Sequence, residues 1–178
     1  VSYEVGSDYD ITPNISTNLS IYHTKIKNLI TYNAGKNENV AKANFTGGEA
    51  AIKWHQDDLF LSTQYAYVKN EATELEIAYR PRQTLTITTG LENAIYGISA
   101  SVIARAKSYA DSANTTRVPG YATVDLNAYW NINPNVKVFT NIQNVGDVEY
   151  REVLNTYPSN DWYINGGRLA SAGVTFRY

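Results

Sequence analysis

Gly167-Arg168-Leu169-Ala170-Ser171-Ala172-Gly173-Val174-Thr175-Phe176-Arg177-Tyr178 ends the sequence, and its reading decides the fold. From Ala170 the even positions are Ala, Ala, Val, Phe and Tyr, and the odd positions are Ser, Gly, Thr and Arg. Successive side chains of a strand point to opposite faces, so one face is apolar and the other wet. The run reaches the aromatic Tyr178. In a soluble sheet such a strand would be an edge needing protection. A closed membrane barrel needs this alternation: an apolar outer face with interfacial aromatics, and a polar interior. The stretch predicts a membrane barrel. The alternative is a soluble meander or sandwich with tryptophans in its core.

Composition agrees with the barrel. Fifteen Tyr, three Trp and four Phe accompany a complete absence of Cys and Met. The aliphatic residues are dispersed, and no apolar run reaches the ~20 residues that a spanning helix needs. Without cysteine there is neither a disulfide nor a thiolate metal site. A net charge of -2 offers no electrostatic footprint for nucleic acid. The sequence opens at Val1 with neither an initiator Met nor a signal segment, as expected of a mature product or a fragment.

Upstream, the same alternation recurs eight times, which with the closing stretch makes about nine strands. Val1, Tyr3, Val5, Tyr9 and Ile11 share one face; Ile15, Thr17, Leu19 and Ile21 follow a turn at Thr12-Pro13-Asn14. A polar loop around residues 33–39 leads to Gly48, Ala50, Ile52 and Trp54. Beyond His55-Gln56-Asp57-Asp58 come Leu59, Leu61, Thr63, Tyr65 and Tyr67. After a loop over about 69–82, Leu85, Ile87, Thr89 and Leu91 turn at Asn93-Ala94 into Tyr96, Ile98, Ala100, Val102 and Ala104. A third loop over about 107–119 precedes Ala122, Val124, Leu126, Ala128 and Trp130. Asn131 to Asn135 turn into Val136, Val138, Thr140 and Ile142, and a fourth loop over about 144–166 leads to the final strand.

Turn length and face parity must agree, because a one-residue slip exchanges the faces of a strand. The links predict Ile11 opposite Ile15, Tyr9 opposite Thr17, Trp54 opposite Leu59, Leu91 opposite Tyr96, and Trp130 opposite Val136. Apolar meets apolar in all of them. Short and long connections alternate, the pattern of periplasmic turns and external loops. Trp54, Trp130, Phe176 and Tyr178 fall near short-turn ends, where a membrane-interface girdle would lie.

Several segments resemble one family. Pro119-Gly120-Tyr121-Ala122-Thr123-Val124-Asp125-Leu126 is similar to the start of a late strand in TonB-dependent outer-membrane receptors. Phe139 to Tyr150, Gly167-Arg168 with the closing strand, Ile21 to Ile30, and Gly47-Gly48-Glu49 resemble further family segments in family order. Val145-Gly146 stands in place of the usual Leu-Phe or Leu-Leu, and Tyr178 in place of the usual terminal Phe. These barrels have 22 strands around a plugged lumen. The resemblance implies an all-β fold: an antiparallel meander of about nine strands forming the C-terminal part of such a barrel over residues 1–178. The plug and the segment that engages TonB would lie outside this chain.

The resemblance further implies a receptor of the Gram-negative outer membrane, with no enzymatic chemistry and no cofactor. Uptake would be coupled through TonB to the proton-motive force. The cargo would be a metal chelate: a ferric siderophore, cobalamin or haem. Outer-membrane lipid or lipopolysaccharide would surround it. Candidate ligand contacts in the external loops are Tyr79, Arg80, Arg82, Arg117, Tyr157, Trp162 and Tyr163, since Arg can pair an anionic chelate and aromatics can stack on a planar one. Tyr79, Arg80 and Arg82 also suit interfacial anchoring or lipopolysaccharide contact. Asp125 and Asn141 are expected opposite each other on the lumen face. No catalytic or metal-ligand set emerges: His23 and His55 are isolated, and Asp57-Asp58 lacks a calcium loop's further oxygens. The alternative function is a complete small barrel of eight or ten strands acting as a passive pore or structural protein.

Overall fold

The computed structural model describes residues 1–33, 36–72, 75–155, 161–165 and 167–178. Among the described residues there are fourteen strands and no helix. In chain order they are β1 (Ser2–Thr12), β2 (Ile15–Asn33), β3 (Lys36–Gln56), β4 (Leu59–Ala72), β5 (Leu75–Glu76), β6 (Gln83–Glu92), β7 (Tyr96–Arg105), β8 (Ser108–Tyr109), β9 (Arg117–Val118), β10 (Tyr121–Asn133), β11 (Val136–Gln143), β12 (Arg151–Asn155), β13 (Asp161–Ile164) and β14 (Leu169–Phe176). Nine long strands form one antiparallel wall in the order β1-β2-β3-β4-β6-β7-β10-β11-β14. The five short strands belong to the loops: β5 lies against β4, β8 pairs with β9, and β12 pairs with β13. The wall is open, with β1 and β14 at its two ends.

The wall has almost no interior. Among the described residues only Ala43 and Val118 are buried hydrophobics. A soluble domain of this length would bury roughly 70% of its unfolded surface around a contiguous core. Here the large apolar side chains form an exposed outer face in cross-strand rows. Trp130 faces Tyr96 and Val138, and Val138 faces Val174. Val102 lies between Ile87 and Val124. The other face carries Ser62, Thr88, Ser101 and Asp125 in one row, and Gly90, Ser99, Asn127, Asn141 and Ser171 in another. It is the concave face, with a hollow lined by Ser99, Asn127, Tyr129, Lys137 and Phe139 near the short turns.

Threonines interrupt the apolar face, and their geometry explains why. Thr17 Oγ1 donates to the Tyr9 carbonyl (3.2 Å), Thr89 to Phe60 (3.0 Å) and Thr140 to Ser171 (3.1 Å). Each hydroxyl is spent on a carbonyl of the neighbouring strand. In hydrocarbon an unsatisfied polar group would cost several kcal/mol. On the concave face, large rings instead cover glycines. A Cβ on Gly97 would come within 2.4 Å of the Tyr129 ring directly opposite, and one on Gly173 within 2.6 Å of Phe139. Both glycines leave the room that a twisted wall needs for an aromatic to lie across its neighbour.

The predicted face of every strand survives, but the register of three hairpins is two residues further along. Trp54 faces Leu61, Leu91 faces Ile98, and Trp130 faces Val138. The β3–β4 link is the two-residue turn Asp57-Asp58, with Asp57 at φ 52°, because pairing continues to Gln56–Leu59. Tyr9 does face Thr17, whereas Ile15 pairs with Thr12 across an irregularity that leaves Ile11 out of the ladder. Asn141 faces Asn127 rather than Asp125. The last strand stops at Phe176; Tyr178 lies beyond it, fully exposed. Trp130 and Phe176 are 57% and 69% exposed on the outer face by the short turns, and Trp54 is half-buried beside them.

Length separates wall from projection. β6 and β7 have 10 residues each, about what a tilted membrane strand requires. β2 and β3 have 19 and 21. At ~3.3 Å per residue, this hairpin runs about 30 Å further than β6 and β7 do, so much of the polar loop expected around 33–39 is regular ladder up to Asn33–Lys36. One substitution pair tests the two faces. Val102→Arg should lower the free energy of folding into lipid vesicles by about 2–4 kcal/mol, measured by denaturant titration of the membrane-embedded protein. Ser101→Arg, one residue away on the concave face, should cost less than about 1 kcal/mol on the same scale.

Candidate functional site

The long connections gather at one rim. The second is tied to the third by a side chain that imitates a strand. Asn114, at φ 58°, accepts from the Glu76 amide (2.8 Å) and donates to the Glu76 carbonyl (2.8 Å). Asparagine tolerates the left-handed region better than most residues. A backbone bond from the Tyr79 amide to the Tyr109 carbonyl (2.7 Å) adds a second tie. Beneath them Asn70, fully buried, accepts from the Ile77 amide (3.0 Å) and donates to the Arg80 carbonyl (3.4 Å). The Arg80 guanidinium lies 5.6 Å from the centre of the Phe45 ring.

The last connection is anchored twice. Asn144 (φ 50°) is buried: its amide donates to Asp125 (2.8 Å), and its side chain brackets Val148 through two bonds of 2.9 Å. Asp147 then receives the Arg168 amide at 2.7 Å, and a Cβ on Gly167 would meet the same carboxylate at 2.3 Å. The two motifs that looked separate in sequence are thus one joint, held through the Arg168 backbone. Further out, Glu152 pairs with Arg105 (3.1 Å), accepts the Tyr121 hydroxyl, and accepts from Asn165 (3.0 Å). Tyr121 stacks on Tyr150 at 4.0 Å. This cluster fixes the hairpin β12–β13 to the ends of β7 and β10.

The predicted ligand contacts divide accordingly. Tyr79, Arg80, Arg82 and Arg117 come together in the joined second and third loops, with Arg117 opposite Tyr109. Tyr79, Arg80 and Arg117 are exposed. Arg82 is committed to Glu76 (3.1 Å) and borders Glu71 (4.0 Å), so it holds the loop. Trp162, half-buried opposite Leu154, and Tyr163, 61% exposed opposite Val153, belong to the separate hairpin of the last loop. Tyr157 lies outside the described residues. Asn70, Asn114, Arg105, Tyr121 and Glu152 organise the rim without any signal in the periodic pattern, since each works across a long sequence gap. Among the described residues no three His, Asp or Glu side chains gather as a metal site.

A family model described as the β-barrel of TonB-dependent receptors matches residues 1–145. A probable TonB-dependent siderophore receptor, PiuA of Acinetobacter baumannii, is 26% identical over 99% of this chain, which spans 26% of the relative's length. The crystal structure of PiuA superimposes with a TM-score of 0.79 at 25% identity, covering 99% of this chain and 28% of that one. Two others share the fold. The ferric yersiniabactin uptake receptor FyuA of Yersinia pestis gives 0.80 at 20% identity, over 98% of this chain and 29% of that one. The copper transporter OprC gives 0.85 at 16%, over 99% and 31%.

One carboxylate makes part of the rim sensitive to acid. Asp111 accepts the amides of Thr115 (3.0 Å) and Thr116 (2.6 Å). Burial pushes its pKa up, but the backbone bonds from Thr115 and Thr116 outweigh this and hold it below the ordinary 3.8. A depressed folded value means that the ionised carboxylate stabilises the turn above pH 3.8, a contribution lost as pH falls through the folded value. The protection of amides 111–116 against exchange, relative to an unstructured chain at the same pH, should therefore fall on acidification below that range. In Asp111→Asn this protection should already be low at neutral pH and no longer depend on this titration.

Proposed function

The chain belongs to the TonB-dependent receptors, as part of their β-barrel, and from that premise we propose that it forms the C-terminal wall and external vestibule of an outer-membrane importer of metal chelates. The plug and the segment that engages TonB belong to the part of the receptor outside these residues. Short turns face the periplasm and long loops face the medium. The rim of joined loops carries the reading, because it sets exposed cations and aromatics on a frame that backbone and Asn114 bonds hold together.

Receptor action needs binding and gating rather than bond chemistry. Arg80 and Arg117 are the exposed cations offered to an anionic chelate, and Tyr79, Trp162 and Tyr163 offer planar surface. A ferric siderophore is favoured over cobalamin or haem, because the relative PiuA is named as a probable siderophore receptor. Arg82 acts one step back, keeping Glu71 and Glu76 out of the vestibule. A self-closed passive pore is disfavoured by the open strand order, in which β1 and β14 remain apart.

The experiment is uptake of an iron-loaded siderophore panel by cells carrying the full-length receptor. At least one ferric siderophore should accumulate in a TonB-dependent manner and stop when an uncoupler collapses the proton gradient. Arg80→Gln with Arg117→Gln should weaken binding of that chelate about tenfold, a loss of about 1.4 kcal/mol. Uptake that survives both the uncoupler and loss of TonB would overturn the proposal.

A further inference from the structure

The outer face of the β2–β3 hairpin changes character abruptly. Rising from the short turn, its cross-strand pairs are Ile15–Trp54, Thr17–Ile52, Leu19–Ala50 and Ile21–Gly48. The next three are His23–Thr46, Lys25–Asn44 and Lys27–Lys42. Lys25 comes ten residues after Ile15, about the length that crosses a bilayer. The lysines therefore emerge where the hydrocarbon ends. Lys25, Lys27 and Lys42 are all exposed, and none is in an ion pair among the described residues.

Lys27 and Lys42 stand directly opposite each other, an arrangement that destabilises a sheet unless a counter-charge lies between them. The nearest carboxylate on this face, Glu71 opposite Asn44, is bound to Lys69 at 2.9 Å. One row below, His23 and Thr46 share a hydrogen bond of 2.7 Å, with Tyr3 beside His23. This outer face is also the wrong one for the imported ligand, since the vestibule side chain Phe45 lies on the opposite parity of β3.

We propose that Lys25, Lys27 and Lys42 bind the phosphate groups of lipid headgroups in the outer leaflet. The occupant is a lipid because a single row, His23–Thr46, separates the patch from the apolar belt: one molecule can lay acyl chains over Leu19 and Ile21 while its phosphates neutralise the opposed lysines. A soluble anion would meet only exposed, screened charges. The site rests on the membrane orientation proposed above. It also moves the lipid-contact role away from Arg82, which the loop structure commits to Glu76.

The test is native mass spectrometry of the full-length receptor in neutral detergent, titrated with diphosphorylated lipid A, its dephosphorylated counterpart, or inorganic phosphate. The phosphorylated lipid should bind, the dephosphorylated one at least tenfold more weakly, and excess inorganic phosphate should not displace it. Lys25→Gln/Lys27→Gln/Lys42→Gln should reduce binding at least tenfold, while the matching triple Lys→Arg variant retains it. Equal binding of the two lipids by the unmodified receptor would overturn the proposal whether or not the glutamine variant folds. So would undiminished binding by a folded glutamine variant, or displacement by inorganic phosphate. Siderophore uptake assayed in parallel separates the two readings: failed lipid binding with intact uptake removes this site and leaves the receptor function standing.

Discussion

The inter-strand hydrogen-bond ladder is the constraint on which everything else rests. In a bilayer no water is present to satisfy a backbone amide or carbonyl, so each must find its partner on the next strand. This is why a chain with so small a buried core has a defined structure. In the proposed receptor its side chains need not pack against one another, because lipid would receive one face and the barrel interior the other. The threonine hydroxyls of the apolar face follow the same rule, each donating to a neighbouring carbonyl. On the concave side the Tyr129 and Phe139 rings lie over Gly97 and Gly173.

Beyond the wall the ladder gives way to other bonds. The wall ends in loops that no longer have a regular partner, and polar side chains take over the work of strands. Asn114 completes a backbone pair for Glu76, and Asn144 builds the turn after β11. Asp147 holds the start of β14 by the Arg168 amide, and Glu152 draws Arg105, Tyr121 and Asn165 into one cluster. The exposed Arg105–Glu152 pair contributes only about 0.2–1 kcal/mol by itself. Its value is positional, because it sets where the aromatic hairpin stands over the mouth.

The alternation made the faces of the wall legible from residues alone, since a period of two is a local property. Register was less legible. Trp54 slipped from Leu59 to Leu61 because Asp57 adopts a left-handed conformation and tightens the turn to two residues, which hydropathy does not report. Even-numbered errors of this kind preserve the faces, so they escape the parity test. The loops were legible least. Arg82 reads as a free cation until the fold brings Glu71 and Glu76 to it, and Asn114 carries no sign of a partner 38 residues away. Family-like segments located the joint between Asp147 and Gly167 without revealing that it is one structure.

Orientation is the claim on which the receptor reading depends, and labelling tests it most directly. These 178 residues contain no cysteine, so single replacements among them are read cleanly once any cysteine elsewhere in the receptor has been replaced by serine. In cells displaying the full-length receptor, Arg117→Cys and Tyr163→Cys should react with a polyethylene-glycol maleimide too large for porins. Asp58→Cys and Asn135→Cys, in the short turns, should react only after the outer membrane is permeabilised. Labelling of the turn positions in intact cells, with the loop positions protected, would contradict the account.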